Sequence, residues 1–193
     1  MKDLIKNRIS ESIQVKQNLL NDERLLNNLQ SLAQACIQGF ANGNKVLFCG
    51  NGGSAADAQH LAAELSGRFY FDRPPLPAEA LHVNTSFLTA VANDYSYEEI
   101  FSRMIEAVGR PGDILIGLST SGNSINVLKA LEKAMEKGML TAAFTGASGG
   151  KMKNFVHWLI NVPSVDTPRI QEAHILLGHI MCEIIEKELF GKK

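Results

Sequence analysis

From residue 45 onward the chain alternates short apolar segments with longer segments of helical periodicity. The apolar runs are KVLFC (45–49), ALHV (80–83), DILIGL (113–118), MLTAAF (139–144) and HWLINV (157–162). Helical patterns follow at about 53–66, 86–92, 97–108, 123–137 and 167–189. Apolar strands that alternate with helices indicate a parallel sheet covered on both faces. We therefore predict a doubly wound, flavodoxin-like α/β domain with five parallel strands and right-handed connections.

The first 41 residues carry a different pattern, because two helices are predicted there with no strand between them. One apolar stripe consists of Leu4, Ile5, Ile9 and Ile13, and the other of Leu26, Leu29, Leu32, Ala33 and Ile37. We predict a single domain over residues 1–193 in which residues 1–41 form a helical oligomerisation arm. The alternative is that this pair packs on its own domain.

Composition excludes several classes of protein. Lys and Arg total 19 and Asp and Glu total 20, and since no basic cluster stands out, a nucleic-acid partner is not expected. No apolar run approaches the roughly 18–20 residues of a membrane helix, and the N-terminus lacks the apolar region of a secretory signal. The three scattered cysteines fit neither a disulfide framework nor a CxxC site. A cytoplasmic protein is expected.

Two polar turns follow predicted strands, where open parallel sheets bind ligands. CGNGGS (49–54) follows the first strand and LSTSGNS (118–124) follows the third. The second turn offers four hydroxyls and the amides that open a helix, which together form a cradle for a phosphate. Helix capping alone would explain only one of these hydroxyls. A nucleotide fits poorly, because GASGGKM (146–152) lacks P-loop spacing and no acidic residue ends the second strand to hold a ribose.

The helix after the first turn carries His60 and Glu64 one turn apart, so both project from the same face. Such a pair alone is more often a surface contact than a metal site. The last helix, however, places Gln171, His174 and His179 among apolar neighbours, where unpaired polar groups are costly. Together, His60, Glu64, Gln171 and His179 would offer ligands suitable for zinc or a similar divalent ion.

Spacing limits how these ligands can meet. Gln171 and His179 are separated by about 12 Å in a straight helix. One metal touches both only if the side chains stretch towards each other, if the helix deforms near Gly178, or if they come from different subunits, and the sequence leaves all three open.

Other polar residues are weaker candidates. His82 and His157 lie in predicted strands and are expected to be structural, whereas His174 could support the metal ligands. Asn93 and Asp94 end a helical segment, where they form a plain turn or contact a sugar hydroxyl.

These motifs together resemble a known family. CGNGGS, the following HxxxE, AND (92–94), LSTSGNS, TGASGGKM and RIQEAH, with His179 in the last helix, are similar to bacterial phosphoheptose isomerases of the sugar-isomerase (SIS) domain family. The resemblance covers nearly the whole chain in the same order. It implies conversion of D-sedoheptulose 7-phosphate into D-glycero-D-manno-heptose 7-phosphate, the first step towards ADP-heptose and the heptose of the lipopolysaccharide core.

The resemblance also implies an assembly, a metal and a set of site residues. It implies a homotetramer with one zinc per subunit, held by His60, Glu64, Gln171 and His179. Glu64 and His179 would perform the proton chemistry. Substrate would be bound by Asn51, Gly52, Gly53, Ser54, Glu64, Asn93, Asp94, Ser119, Thr120, Ser121, Ser124 and Gln171.

Two other functions are alternatives to the isomerase. A non-catalytic relative binds the bacterial replication initiator, and NGNKVLFCGNG (42–52) and PRIQE (168–172) look close to it. That relative lacks the catalytic pair, whereas Glu64 and His179 are both present here. A sugar-phosphate-sensing regulator would usually carry an attached DNA-binding module, and the chain leaves no room for one.

Overall fold

The computed structural model describes residues 1–191, so the last two residues of the predicted domain lie outside it. Within this range the α-helices are Lys2–Leu20 (α1), Glu23–Ala41 (α2), Gly53–Ser66 (α3), Thr85–Asp94 (α4), Ile100–Val108 (α5), Ile125–Glu136 (α6) and Thr167–Phe190 (α7). The strands are Val46–Gly50 (β1), Ala78–Ala80 (β2), Ile114–Ser119 (β3), Leu140–Thr145 (β4) and Trp158–Asn161 (β5). No helix among the described residues is long and apolar enough to cross a membrane.

The strands form one parallel sheet in the order β2-β1-β3-β4-β5. Successive side chains of a strand point to opposite faces, so β1 sends Val46 and Phe48 into one core and Leu47 and Cys49 into the other. Helices α2, α3 and α7 cover the first face, and α5 and α6 cover the second. The predicted doubly wound five-stranded sheet is therefore confirmed.

The second strand was predicted two to three residues too late in the chain. β2 is a short edge strand that ends at Ala80, where it pairs with Phe48 of β1. The apolar residues beyond it mark a turn instead: Leu81 enters the core, whereas Val83 is exposed. The apolar run ALHV (80–83) therefore reflects the burial of Leu81 and does not mark the extent of strand pairing.

The two N-terminal helices differ in how they are packed. α2 buries Leu25, Leu29, Leu32 and Cys36 against the domain, so it is part of the core. α1 lies on α7 through a hydrogen bond from the Ser12 hydroxyl to the Glu172 carboxylate, and the stripe Leu4, Ile5, Ile9 and Ile13 stays exposed. The oligomerisation role predicted for residues 1–41 therefore rests on α1.

A buried carboxylate lies at the amino-terminal end of β3, opposite the turns that follow β1 and β3. Asp113, just before β3, accepts hydrogen bonds from the backbone N–H groups of Lys45 and Arg110 and pairs with the Lys45 ammonium group. Burial alone would raise the pKa of Asp113, but these hydrogen bonds, with one from Asn44, outweigh burial and lower it. The carboxylate therefore stabilises the fold above its unfolded pKa, and this contribution is lost as the pH falls towards the folded pKa.

We expect Asp113→Asn to lower the free energy of unfolding at pH 7 by about 1–3 kcal/mol, because buried donors lose their charged acceptor. The deficit relative to wild type should shrink as the pH falls below about 4, because the Asp113 carboxyl group of the unfolded wild-type chain binds a proton there while the folded chain still resists protonation. Urea unfolding of both proteins at pH 7 and pH 3 measures the difference. A deficit of the same size at both pH values would contradict this account.

Candidate active site

The turn after β1 depends on glycine at two positions. Gly52 has a φ of +55°, a conformation that L side chains rarely adopt, and it directly precedes α3. A Cβ atom on Gly53 would lie 2.5 Å from the Gln171 side-chain amide nitrogen. The missing side chain therefore lets Gln171 of α7 lie against the N-terminus of α3. Ser54, in the first turn of α3, is buried.

Asn51 is fixed by partners that the sequence analysis missed. Its side-chain amide exchanges two hydrogen bonds of 2.9 Å with that of Asn126 in α6, and the Tyr97 hydroxyl donates to its oxygen at 3.0 Å. Asn126 is buried, with 4% of its surface exposed. An asparagine on the buried face of a predicted helix was the available signal for this contact, whereas nothing in the sequence pointed to Tyr97.

The turn after β3, residues 119–124 and called the serine turn below, brings the predicted hydroxyls close together. The Ser119 hydroxyl lies 2.9 Å from that of Ser124 and 3.4 Å from that of Ser121. Ser124 precedes α6, but its side chain makes no capping hydrogen bond. Capping therefore does not explain this hydroxyl. Thr120 and Ser121 also line a cleft of about 290 Å³ that extends to Ser148, Ser164 and Thr167.

The glycine-rich segment at 146–152 supports this turn. The carbonyl of Gly122 accepts a hydrogen bond from Met152 N–H, and Asn123 accepts one from Lys151 N–H. Gly122 has a φ of +66°, and a Cβ atom there would strike the backbone of Gly149 at 2.4 Å. Residues 146–152, whose spacing is not that of a P-loop, therefore pack against the serine turn and restrict its conformation.

His60, Glu64 and His179 form a cluster across α3 and α7. His60 Nε2 lies 3.1 Å from Glu64 Oε1 and 2.9 Å from His179 Nε2. One ligand atom from each residue lies within 4.8 Å of the other two. Burial, and then the proximity of His60, lower the pKa of His179, while Glu64 opposes them. His179 is therefore held in its neutral form, which can accept a proton or bind a metal.

Two imidazole nitrogens and a carboxylate oxygen that converge on one point fit a zinc ion. Gln171, the fourth predicted ligand, lies two helical turns from His179, against Gly53. Helix α7 runs unbroken past Gly178, so a deformation of the helix at that residue does not bring Gln171 and His179 together. Its role as a ligand stays a prediction.

The remaining candidates lie apart from this cluster. Asn93 donates a hydrogen bond to Asp94 at the exposed end of α4, shortly before Tyr97. His157 contacts Thr141 and is structural, as predicted. His174 is fully buried and hydrogen-bonded to the carbonyl of Thr145, which joins α7 to β4, and burial lowers its pKa to about 4.

Comparison with known proteins identifies the family of this chain. The SIS domain model matches residues 12–146. Phosphoheptose isomerase of Aneurinibacillus thermoaerophilus is 54% identical over 193 residues, covering all of this chain and 98% of the relative.

Two solved structures agree with this match. Phosphoheptose isomerase of Neisseria gonorrhoeae aligns with a TM-score of 0.90 and 44% identity over 96% of this chain and 98% of that one. The enzyme of Francisella tularensis aligns with a TM-score of 0.92 and 39% identity over 96% and 97%. The chain therefore belongs to the SIS-domain family and, within it, to the phosphoheptose isomerases.

Proposed function

We propose that this protein is a ketose–aldose isomerase that converts D-sedoheptulose 7-phosphate into D-glycero-D-manno-heptose 7-phosphate through an enediol. The observation that carries the proposal is the meeting of Glu64 and His179, which lie far apart in the chain, in one cluster. A carboxylate and a neutral imidazole are the groups that a proton transfer between adjacent carbons requires. Family membership supplies the substrate class.

The serine turn anchors the phosphate of the substrate. The hydroxyls of Ser119, Ser121 and Ser124 and the amides at the N-terminus of α6 are donors suited to an anion, and the positive end of the helix dipole favours negative charge. Binding energy from this non-reacting phosphate holds the sugar in position for the chemical step. The remaining predicted substrate contacts are Asn51, Gly52, Gly53, Ser54, Glu64, Asn93, Asp94, Thr120 and Gln171.

Glu64 removes the carbon-bound proton next to the carbonyl group and returns it to the neighbouring carbon. His179 moves the proton between the two oxygens of the enediol. His60 lies within contact of both residues and restricts their orientation. Each group thus acts on a different pair of atoms, serves in turn as base and as acid, and ends the reaction in the protonation state in which it began.

We further propose that His60, Glu64 and His179 hold one zinc ion per subunit, with Gln171 as the predicted fourth ligand. When bound, the ion would stabilise the negative charge that develops on the enediol oxygens. A homotetramer in the cytoplasm is proposed as the working form, with the product directed to heptose for the lipopolysaccharide core.

Glu64→Gln should lower kcat for sedoheptulose 7-phosphate by about 10²–10⁴-fold, because the amide cannot accept the proton. Formation of the aldose phosphate measures turnover. Glu188→Gln is the control, since it makes the same change at an exposed position of α7. An unchanged kcat in Glu64→Gln would remove the proposed base. A wild-type protein without turnover would favour the initiator-binding adaptor.

Purified wild-type protein should contain about one zinc per chain, and His60→Ala should lose most of it, because one of three converging ligands is removed. His157→Ala is the control, since it removes a histidine that contacts Thr141 outside the cluster. Elemental analysis of the three proteins gives the ratios. Equal zinc in His60→Ala and wild type would contradict the site, and a different divalent metal would correct its identity.

Ile9→Asp should reduce the mass of the assembly in solution, because a charge in the exposed apolar stripe of α1 opposes burial of that stripe between subunits. Asn7→Asp is the control, since residues two apart point in different directions on a helix. Light scattering after size-exclusion chromatography measures the mass. An Ile9→Asp assembly of wild-type mass would show that the stripe is not the contact.

A further inference from the structure

A buried ion pair links the C-terminal end of α3 to α7, the two helices that carry the His60–Glu64–His179 cluster, and has no part in the chemistry proposed above. Arg73 Nε lies 3.0 Å from Glu186 Oε1, and each side chain is only 1% exposed. Arg73 comes from the segment after α3, and Glu186 lies on α7 seven residues after His179. Seven residues are two helical turns, so Glu186 and His179 lie on the same face of α7.

Arg73 binds the C-terminal end of α3, where Glu64, the proposed base, is located. Its Nη2 donates to the carbonyl of Glu64 at 2.8 Å, and its Nη1 donates to that of Leu65, also at 2.8 Å. These carbonyls belong to the last turn of the helix, which has no intrahelical donors for them. The guanidinium group therefore restricts the backbone that carries the Glu64 side chain.

Glu186 binds the backbone of residues 69–71, a segment that contacts His179 through Phe69. Its carboxylate accepts hydrogen bonds from the backbone N–H groups of Phe69, Tyr70 and Phe71 at 2.8, 2.6 and 3.1 Å. The Phe69 ring in turn lies against the His179 ring, with 5.6 Å between centroids. The carboxylate thus fixes a side chain that limits the orientation of the imidazole.

We infer that Arg73 and Glu186 are a positioning pair, which sets the placement of Glu64 relative to His179 for the isomerase reaction. The inference rests on the proposed function for its kinetic consequence. Its physical basis is that one ion pair contacts the backbone of Glu64, the helix of His179 and the segment bearing Phe69. A small displacement of Glu64 or His179 relative to the reacting carbons lowers kcat. It leaves the binding of the remote phosphate unchanged, so KM is expected to change little.

The test compares Glu186→Gln with Asp113→Asn. Both substitutions change a buried carboxylate that accepts backbone hydrogen bonds and pairs with a cation. Asp113, however, lies at the amino-terminal end of the central strand β3, away from the turns that follow β1 and β3. For each protein we would measure the thermal midpoint, kcat and KM for sedoheptulose 7-phosphate. The His179 ring signal would be followed in metal-free protein labelled with ¹³C-histidine.

Glu186→Gln should lower kcat by about 10–100-fold, change KM by less than about 3-fold, and shift the His179 signal. Asp113→Asn should leave kcat and that signal at wild-type values even where its thermal midpoint falls as far. An unchanged kcat and His179 signal in Glu186→Gln would overturn the inference. Equal losses of kcat in the two variants at equal thermal midpoints would also overturn it, because stability alone would then explain the effect.

Arg73→Lys provides the same two readouts if Glu186→Gln does not fold, because it keeps a cation for Glu186 but lacks the planar donors that contact the carbonyls of Glu64 and Leu65. A native kcat and His179 signal in Arg73→Lys would then overturn the inference. Absence of turnover in the wild type would contradict the proposed function. In that case the His179 signal alone decides the positioning role, with a shift supporting it and no shift overturning it.

Discussion

Helices α3 and α7 run parallel and in close contact because Gly178 leaves room for Leu61. A Cβ atom at Gly178 would lie 2.6 Å from the Leu61 methyl groups. The same approach brings Gln171 against Gly53 at the start of the helices and His179 against His60 further along. Without this contact the His179 imidazole would remain apart from His60 and Glu64, which α3 alone holds on one face, and the proposed phosphate site would have only part of the cluster near it.

The fold was largely predictable because its signals are local. Apolar strand segments, helical periodicity and glycine turns each lie within a few residues, and the order of elements then permits few topologies. Strand β2 was misplaced because Leu81 is buried by its turn and not by strand pairing. The seryl residues after β3 were also predictable, since a strand end and a helix start fix their positions. Glu64 and His179 were candidate metal ligands from the residues alone, but their catalytic roles needed a family resemblance, because nothing local indicates that their helices touch.

Contacts between distant segments were not predictable from the sequence. The Asn51–Asn126 amide pair joins two helix starts 75 residues apart. Arg73 and Glu186 look like ordinary surface residues in the sequence, yet both side chains are buried, and the Glu186 carboxylate binds the backbone of the segment between α3 and Arg73. Their charge is tolerated inside the protein because backbone groups and the partner satisfy it. Gln171 lies against Gly53 at the start of α3, and its role as a metal ligand stays a prediction.

The proposed reaction requires one bound sugar that contacts the serine turn with its phosphate and the His60–Glu64–His179 cluster with its reacting carbons. A crystal structure of the Glu64→Gln assembly with sedoheptulose 7-phosphate tests this most directly. We expect the phosphate beside Ser119, Ser121 and Ser124, and carbons 1 and 2 within hydrogen-bonding range of residue 64 and of a His179 ring in the assembly. A sugar whose carbons 1 and 2 lie beyond that range of every copy of both residues would contradict it.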